Sequence, residues 1–96
     1  MAAAFWIAHV TVTDEAAYSK YAAIATEAIA EHGGVFLARG GKHIQKEGRD
    51  HPRNVVARFP SLEAANACYE SARYQEALSH ARGASERDLV LVEEYE

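Results

Sequence analysis

The sequence predicts an α+β domain in which helical segments cover one face of a four-stranded antiparallel sheet. Three observations carry this prediction. Short segments rich in aromatic and β-branched residues alternate with two alanine-containing stretches of helical spacing. Their order along the chain is β, α, β, β, α, β. The 96 residues supply one hydrophobic core and little more, so a single domain covering residues 1–96 is expected.

The first strand is expected over Phe5 to Val12 (FWIAHVTV), which has no breaker. Side chains alternate across a strand, so Trp6, Ala8, Val10 and Val12 share a wholly apolar face while His9 and Thr11 interrupt the other. Thr13 or Asp14 can cap a helix that follows, and Asp14 and Glu15 complement its positive end. Ala17, Tyr21, Ile24, Ala25 and Ala28 fall on one side at helical spacing. Gly33 should end that helix, because glycine tolerates the left-handed backbone found there.

Val35 to Arg39 and Asn54 to Phe59 (NVVARF) read as the next two strands, and Pro60 stops the pairing. The long connection between them contains Ile44 to Lys46, expected to add a short ladder. Ser61 caps a helix in which Leu62, Ala65, Cys68, Tyr69 and Ala72 form a stripe. A bend near Ser71 leads into a second helical segment from Arg73 to Arg82. The last strand is expected from Asp88 to Val92, leading into Glu93 and Tyr95.

This order is the split pattern of a ferredoxin-like domain. Val55, Val56 and the run Leu89 to Val92 place apolar side chains on both faces of the sheet, and two helical regions on one side can cover only one of them. A second copy packed sheet to sheet is the expected cover for the other, which makes the chain its own partner in a homodimer.

Net charge is −4, unevenly distributed: from Arg39 to Arg58 six basic residues stand against Glu47 and Asp50, giving +4 there and −8 elsewhere. A local basic surface on an acidic chain suits a small anionic metabolite better than a nucleic-acid backbone, and no aromatic RNA-binding signature accompanies it. The opening stretch Met1 to Thr13 lacks a charge but is too short to span a membrane and has no basic leader, so no membrane partner is expected. With Cys68 as the lone cysteine, a cytoplasmic location follows as the expectation.

Four stretches taken together, TDEAAYSKY (Thr13 to Tyr21), GGVFLARGG (Gly33 to Gly41), ARFPSLEAANACYESARYQ (Ala57 to Gln75) and DLVLVE (Asp88 to Glu93), are similar to the family called domain of unknown function 1330 (DUF1330), in the dimeric α/β-barrel superfamily. The resemblance spans nearly the whole chain. It implies a ferredoxin-like protomer and a dimer whose sheets form a barrel, with no established activity. Relatives in the wider superfamily include cofactor-independent monooxygenases, isomerases and lyases, haem enzymes and stress-response proteins.

Among residues able to carry chemistry, Arg39 is the leading anion contact, because it closes a strand just before Gly40 and Gly41 where a side chain can lean over a cleft. Arg53 stands at the other end of the same connection, and Arg82 at the end of the second helical region. Tyr21 and Tyr69 fall on helix faces turned toward the sheet, where a hydroxyl can orient a carbonyl or carboxylate. His9 is the candidate base, since an imidazole inside an apolar strand must meet a polar partner, a cavity or water.

The five histidines show no metal spacing, so no metal is expected. Neither G-x-G-x-x-G nor a P-loop is present, and no cofactor is expected. Two functions therefore stand side by side. One is a homodimer that binds or transforms a small carboxylated or carbonyl metabolite in a cleft between sheet and helices. The other is a non-catalytic stress-response or interaction module acting through its surface.

Overall fold

The computed structural model describes residues 2–95. Its elements are β1 (Ala4–Val12), α1 (Glu15–Glu31), β2 (Val35–Arg39), β3 (Arg53–Phe59), α2 (Leu62–Glu70), α3 (Ala72–Ala81) and β4 (Ser85–Glu93). The strands form one antiparallel sheet in the order β2-β3-β1-β4, the ferredoxin-like arrangement. The predicted ladder at Ile44 to Lys46 does not form; residues 40–50 are exposed and outside the sheet. A register shift between Phe36 and Ala38 marks a bulge in β2, the edge strand.

Local chemistry explains the boundaries. The Asp14 carboxylate accepts from the Ala17 amide at 3.2 Å and starts α1. Gly33, at φ +83°, turns the chain out of the helix. Gly34 is required for a different reason: a Cβ there would stand 2.5 Å from Ile29 Cγ2 and 2.8 Å from Phe59 Cζ. Ser71 ends α2 and caps α3 together, its extended backbone at ψ 149° making the expected bend and its hydroxyl accepting from the Tyr74 amide at 3.2 Å.

Strand alternation then sorts the two faces. Trp6, Ala8 and Val10 of β1, Val55, Ala57 and Phe59 of β3, and the partly buried Leu89 and Leu91 of β4 meet the helices. The buried stripe of α1 is Tyr18, Tyr21, Ala25, Ala28 and Ile29, turned slightly from the predicted one so that Tyr18 and Ile29 replace Ala17 and Ile24. Trp6 anchors the core between Phe59, Tyr69 and Tyr74, with ring centroids 5.6, 6.0 and 5.0 Å away.

The opposite face of the sheet carries Val56 of β3 and Val90 and Val92 of β4, with Val35 and Leu37 on the edge strand. Val35, Leu37, Val90 and Val92 are 61, 56, 54 and 44% exposed in the single chain. Among the described residues, no helix is long and apolar enough to cross a membrane.

Candidate functional site

A cavity of about 30 Å³ lies between α1 and the sheet, opening into a recess of about 360 Å³ that includes the solvent at its mouth. The topology creates it. On α1, the small side chains of Ala22 and Ala25 leave room above Ala8 and Val55 that larger side chains would have filled. Trp6, Ile29 and Phe36 close the walls.

Three arginines reach this apolar space from three strands: Arg39 at the end of β2, Arg53 at the start of β3 and Arg87 in β4. Arg39 donates to Thr26 Oγ1 at 2.7 Å, and its guanidinium lies 4.4 Å from the Phe36 ring centre. The Thr26 hydroxyl passes its own proton to the Ala22 carbonyl at 2.7 Å. Arg53 stands 5.8 Å from the Tyr18 ring centre, and Arg87 4.7 Å from that of Tyr21.

Arg87 Nη2 donates to the hydroxyls of Tyr21 and Tyr74 at 2.8 and 3.1 Å, and those two oxygens are 2.7 Å apart. Burial first, then the neighbouring Tyr74, holds the Tyr21 hydroxyl well above the ordinary tyrosine range; burial also raises Tyr74. Both are therefore neutral hydroxyls and not phenolates.

None of the described residues lining the cavity is acidic. Glu15 lines the adjoining recess with Arg53, yet forms no ion pair with it among the described residues. The Nε atoms of Arg53 and Arg87 are buried without a protein acceptor. A partly buried cation with no counter-charge is costly, by several kcal/mol when burial is complete. The arrangement is thus electrostatically incomplete, and an anion placed among the three guanidiniums would complete it.

Of the residues chosen from sequence, Arg39, Arg53 and Tyr21 come together here. Tyr69 lies outside the cavity, its ring packed on Trp6 and Tyr74. Arg82 is the exposed C-cap of α3 and does not reach the site. His9 stands on the opposite face of the sheet, so it cannot serve as a base for a ligand in this cavity.

On that face, Asn54 donates through Nδ2 to the His51 carbonyl at 3.1 Å and presents Oδ1 to His9 Nδ1 at 2.6 Å. The proton of His9 therefore sits on Nδ1. His51 is buried, with Nδ1 2.9 Å from Thr11 Oγ1 and Nε2 3.5 Å from Asp88 Oδ2.

Arg87 was not singled out from sequence as a ligand contact, nor Tyr74 as the partner of Tyr21. The signal for Arg87 was the period-two pattern Arg87, Leu89, Leu91, which puts it on the helix-facing side of β4. Among the described residues, no group of three or more histidine, cysteine, aspartate or glutamate side chains is placed to hold a metal ion.

A family model described as "Domain of unknown function (DUF1330)" matches residues 3–95, and the chain belongs to that family. No curated protein matches the sequence. Among solved structures, a protein of unknown function from Rhodopseudomonas palustris, RPA0582, is 17% identical with a TM-score of 0.79, over 99% of this chain and 84% of that one. SnoaB from Streptomyces nogalater, a cofactor-independent oxygenase, is 13% identical with a TM-score of 0.70, over 100% of this chain and 96% of that one. These likenesses carry the fold alone, the ferredoxin-like sheet with its helices on one face.

Proposed function

We propose that this DUF1330 protein is a homodimer that binds a small carboxylated or carbonyl metabolite in the cavity between α1 and the sheet of each protomer. One observation carries the ligand assignment: three arginines converge on an apolar cavity with no acidic residue in its lining, and two of their Nε–H groups lack an acceptor. A carboxylate supplies acceptors in the planar geometry that guanidinium matches. Of the five contacts assigned from sequence, Arg39, Arg53 and Tyr21 line the cavity, and Arg87 joins them. Tyrosine and arginine are the only ionisable side chains among the lining residues, so the reading is of binding first; a transformation of the ligand would draw its base from the ligand itself or from water.

The homodimer half of the proposal rests on the open sheet face. Val35, Leu37, Val90 and Val92 form an apolar surface that a second copy would bury sheet to sheet. A cytoplasmic setting suits the lone, buried Cys68, whose thiol is pushed up to about 11 by burial and then by Glu31.

A thermal-shift screen with small carboxylates, 2-oxo acids, phenols and phosphates tests the ligand. Ligand at about 100 times its Kd adds roughly 2.7 kcal/mol to the native state. Stabilisation by carboxylates that is lost in Arg39→Ala is the expected result. No shift with any compound would defeat the proposal.

A second reading, the stress-response or interaction module, draws on the connection from Gly40 to Pro52. Residues 40–50 are exposed, with Lys42, Lys46 and Arg49 on one stretch and Ile44 83% exposed among them. Such a segment would bind an acidic protein partner with affinity that falls steeply as salt rises.

A further inference from the structure

The hydroxyl protons of Tyr21 and Tyr74 can be assigned by accounting. Arg87 Nη2 donates to both oxygens, so each already accepts one hydrogen bond. One hydroxyl proton lies in the 2.7 Å bond between them, and the other must go elsewhere. Tyr74 is fully buried and does not line the cavity, while Tyr21 does. If Tyr21 donated to Tyr74, the Tyr74 proton would be buried with no acceptor among the described residues. A buried unsatisfied donor is the costlier arrangement. Tyr74 therefore donates to Tyr21, and the Tyr21 O–H points into the cavity.

The same accounting applies to the rest of the lining. Arg53 and Arg87 bring buried Nε–H groups with no acceptor, and Arg39 brings the remaining N–H groups of its guanidinium. The one acceptor near Arg39, Thr26 Oγ1, already receives Arg39 and has given its proton to Ala22. The cavity thus offers donors and cations to a ligand, and no carboxylate. Tyr18 adds a second hydroxyl able to donate, and the other surfaces, among them Ala8, Ile29, Phe36 and Val55, are apolar.

From this we infer that the site is built for a ligand that only accepts hydrogen bonds, an anionic carboxylate with an oxo group or bare carbon beside it, and that it rejects the corresponding amino acid. The inference rests on the reading of the cavity as an anion site and adds its selectivity. An ammonium group would meet three guanidiniums and no counter-charge, and its N–H donors would face donors. A 2-oxo oxygen, by contrast, gives Tyr21 O–H an acceptor. The cavity is narrow between α1 and the sheet and open at its mouth, so the carboxylate end enters and the body of the ligand stays in the open recess. Tyr21 is the specificity residue, and Tyr74 lies outside the cavity and does not touch the ligand.

The test is calorimetric titration of the full chain with two matched sets, pyruvate and alanine, then phenylpyruvate and phenylalanine, whose bodies differ in size. We expect the 2-oxo acid of at least one set to bind, with the amino acid of that set weaker by roughly ten-fold or more. Tyr21→Phe should weaken the 2-oxo acid by roughly ten-fold, whereas Tyr74→Phe, which leaves the Tyr21 proton in the cavity, should bind within about two-fold of the unaltered chain. Equal affinity for oxo and amino acids would overturn the selectivity while leaving the anion site intact. Equal losses in the two tyrosine variants would overturn the proton assignment. Should Tyr21→Phe fail to fold, the oxo-to-amino ratio of the unaltered chain decides. Absence of binding by every carboxylate would defeat the anion reading itself and this inference with it.

Discussion

The hydroxyl oxygens of Tyr21 on α1 and Tyr74 on α3 lie 2.7 Å apart, and Arg87 of β4 donates to both. Two helices and the sheet are joined at this one point. Removing either hydroxyl breaks a buried hydrogen bond and leaves a polar neighbour less satisfied. Tyr21→Phe and Tyr74→Phe should each lower stability by about 1–3 kcal/mol in urea denaturation. The double variant should cost less than the sum, because the second substitution removes a group the first left unpaired. Strict additivity would contradict this coupling.

Gly34 sits where no side chain fits, with Ile29 and Phe59 occupying the space a Cβ would need. Gly34→Ala should lower stability by about 1–3 kcal/mol through overpacking, read as a lower midpoint at unchanged denaturant slope. A neutral result would mean that α1 and β2 yield at this junction more readily than their packing implies.

Alkaline pH should destabilise the fold. Burial, followed in order by neighbouring Tyr74 for Tyr21 and Glu31 for Cys68, raises these groups, and burial raises Tyr74 as well. The folded state therefore keeps protons that the unfolded chain gives up: Cys68 ionises near 9.0 when unfolded and near 11 in the fold. Their stabilising contribution is complete below about pH 9 and falls as pH rises through the window from 9 to 11 and beyond, where the tyrosines join. Urea midpoints across this window should fall, and Cys68→Ala should flatten the early part of the decline. A midpoint that rises with pH would contradict the assignment.

The open sheet face makes the dimer testable without a ligand. Val90→Lys or Leu37→Lys places a charge on a surface that is apolar and exposed in the single chain. By sedimentation, the unaltered chain should be a dimer at micromolar concentration and these variants monomers, with the fold kept. A monomeric unaltered chain would remove the homodimer from the account.

Much of the fold was legible because strand and helix periods are simple. The all-apolar set Trp6, Ala8, Val10 is the face the helices cover, Ser61 caps the helix it precedes, and the chain bends at Ser71 as expected. The ladder expected at Ile44 to Lys46 was not legible as absent, because an isolated apolar residue beside polar ones fits strand and loop alike.

The site was legible in pieces. Arg39 and Arg53 announced themselves as basic residues at the ends of one long connection. Arg87 was missed because the last strand was expected to begin at Asp88, whereas β4 begins at Ser85. The register with β1 sets Arg87 opposite Val10, on the side that faces the helices. Tyr69 and Tyr74 share an aromatic cluster, and spacing alone cannot say which hydroxyl meets the cation. His9 looked catalytic because it broke an apolar strand, but alternation sends it to the face away from the arginines.

The central claim is that Arg53 and Arg87 wait for an anion, and their buried Nε–H groups can report on it directly. In a ¹⁵N-labelled chain titrated with acetate and then pyruvate, observed through the arginine Nε–H signals, the account predicts that the resonances of Arg53 and Arg87 move together and saturate, while those of exposed Arg73 and Arg82 stay in place. If the Arg53 and Arg87 signals do not move, or if all the arginines drift together without saturation, the cavity is not an anion site and the proposed function fails.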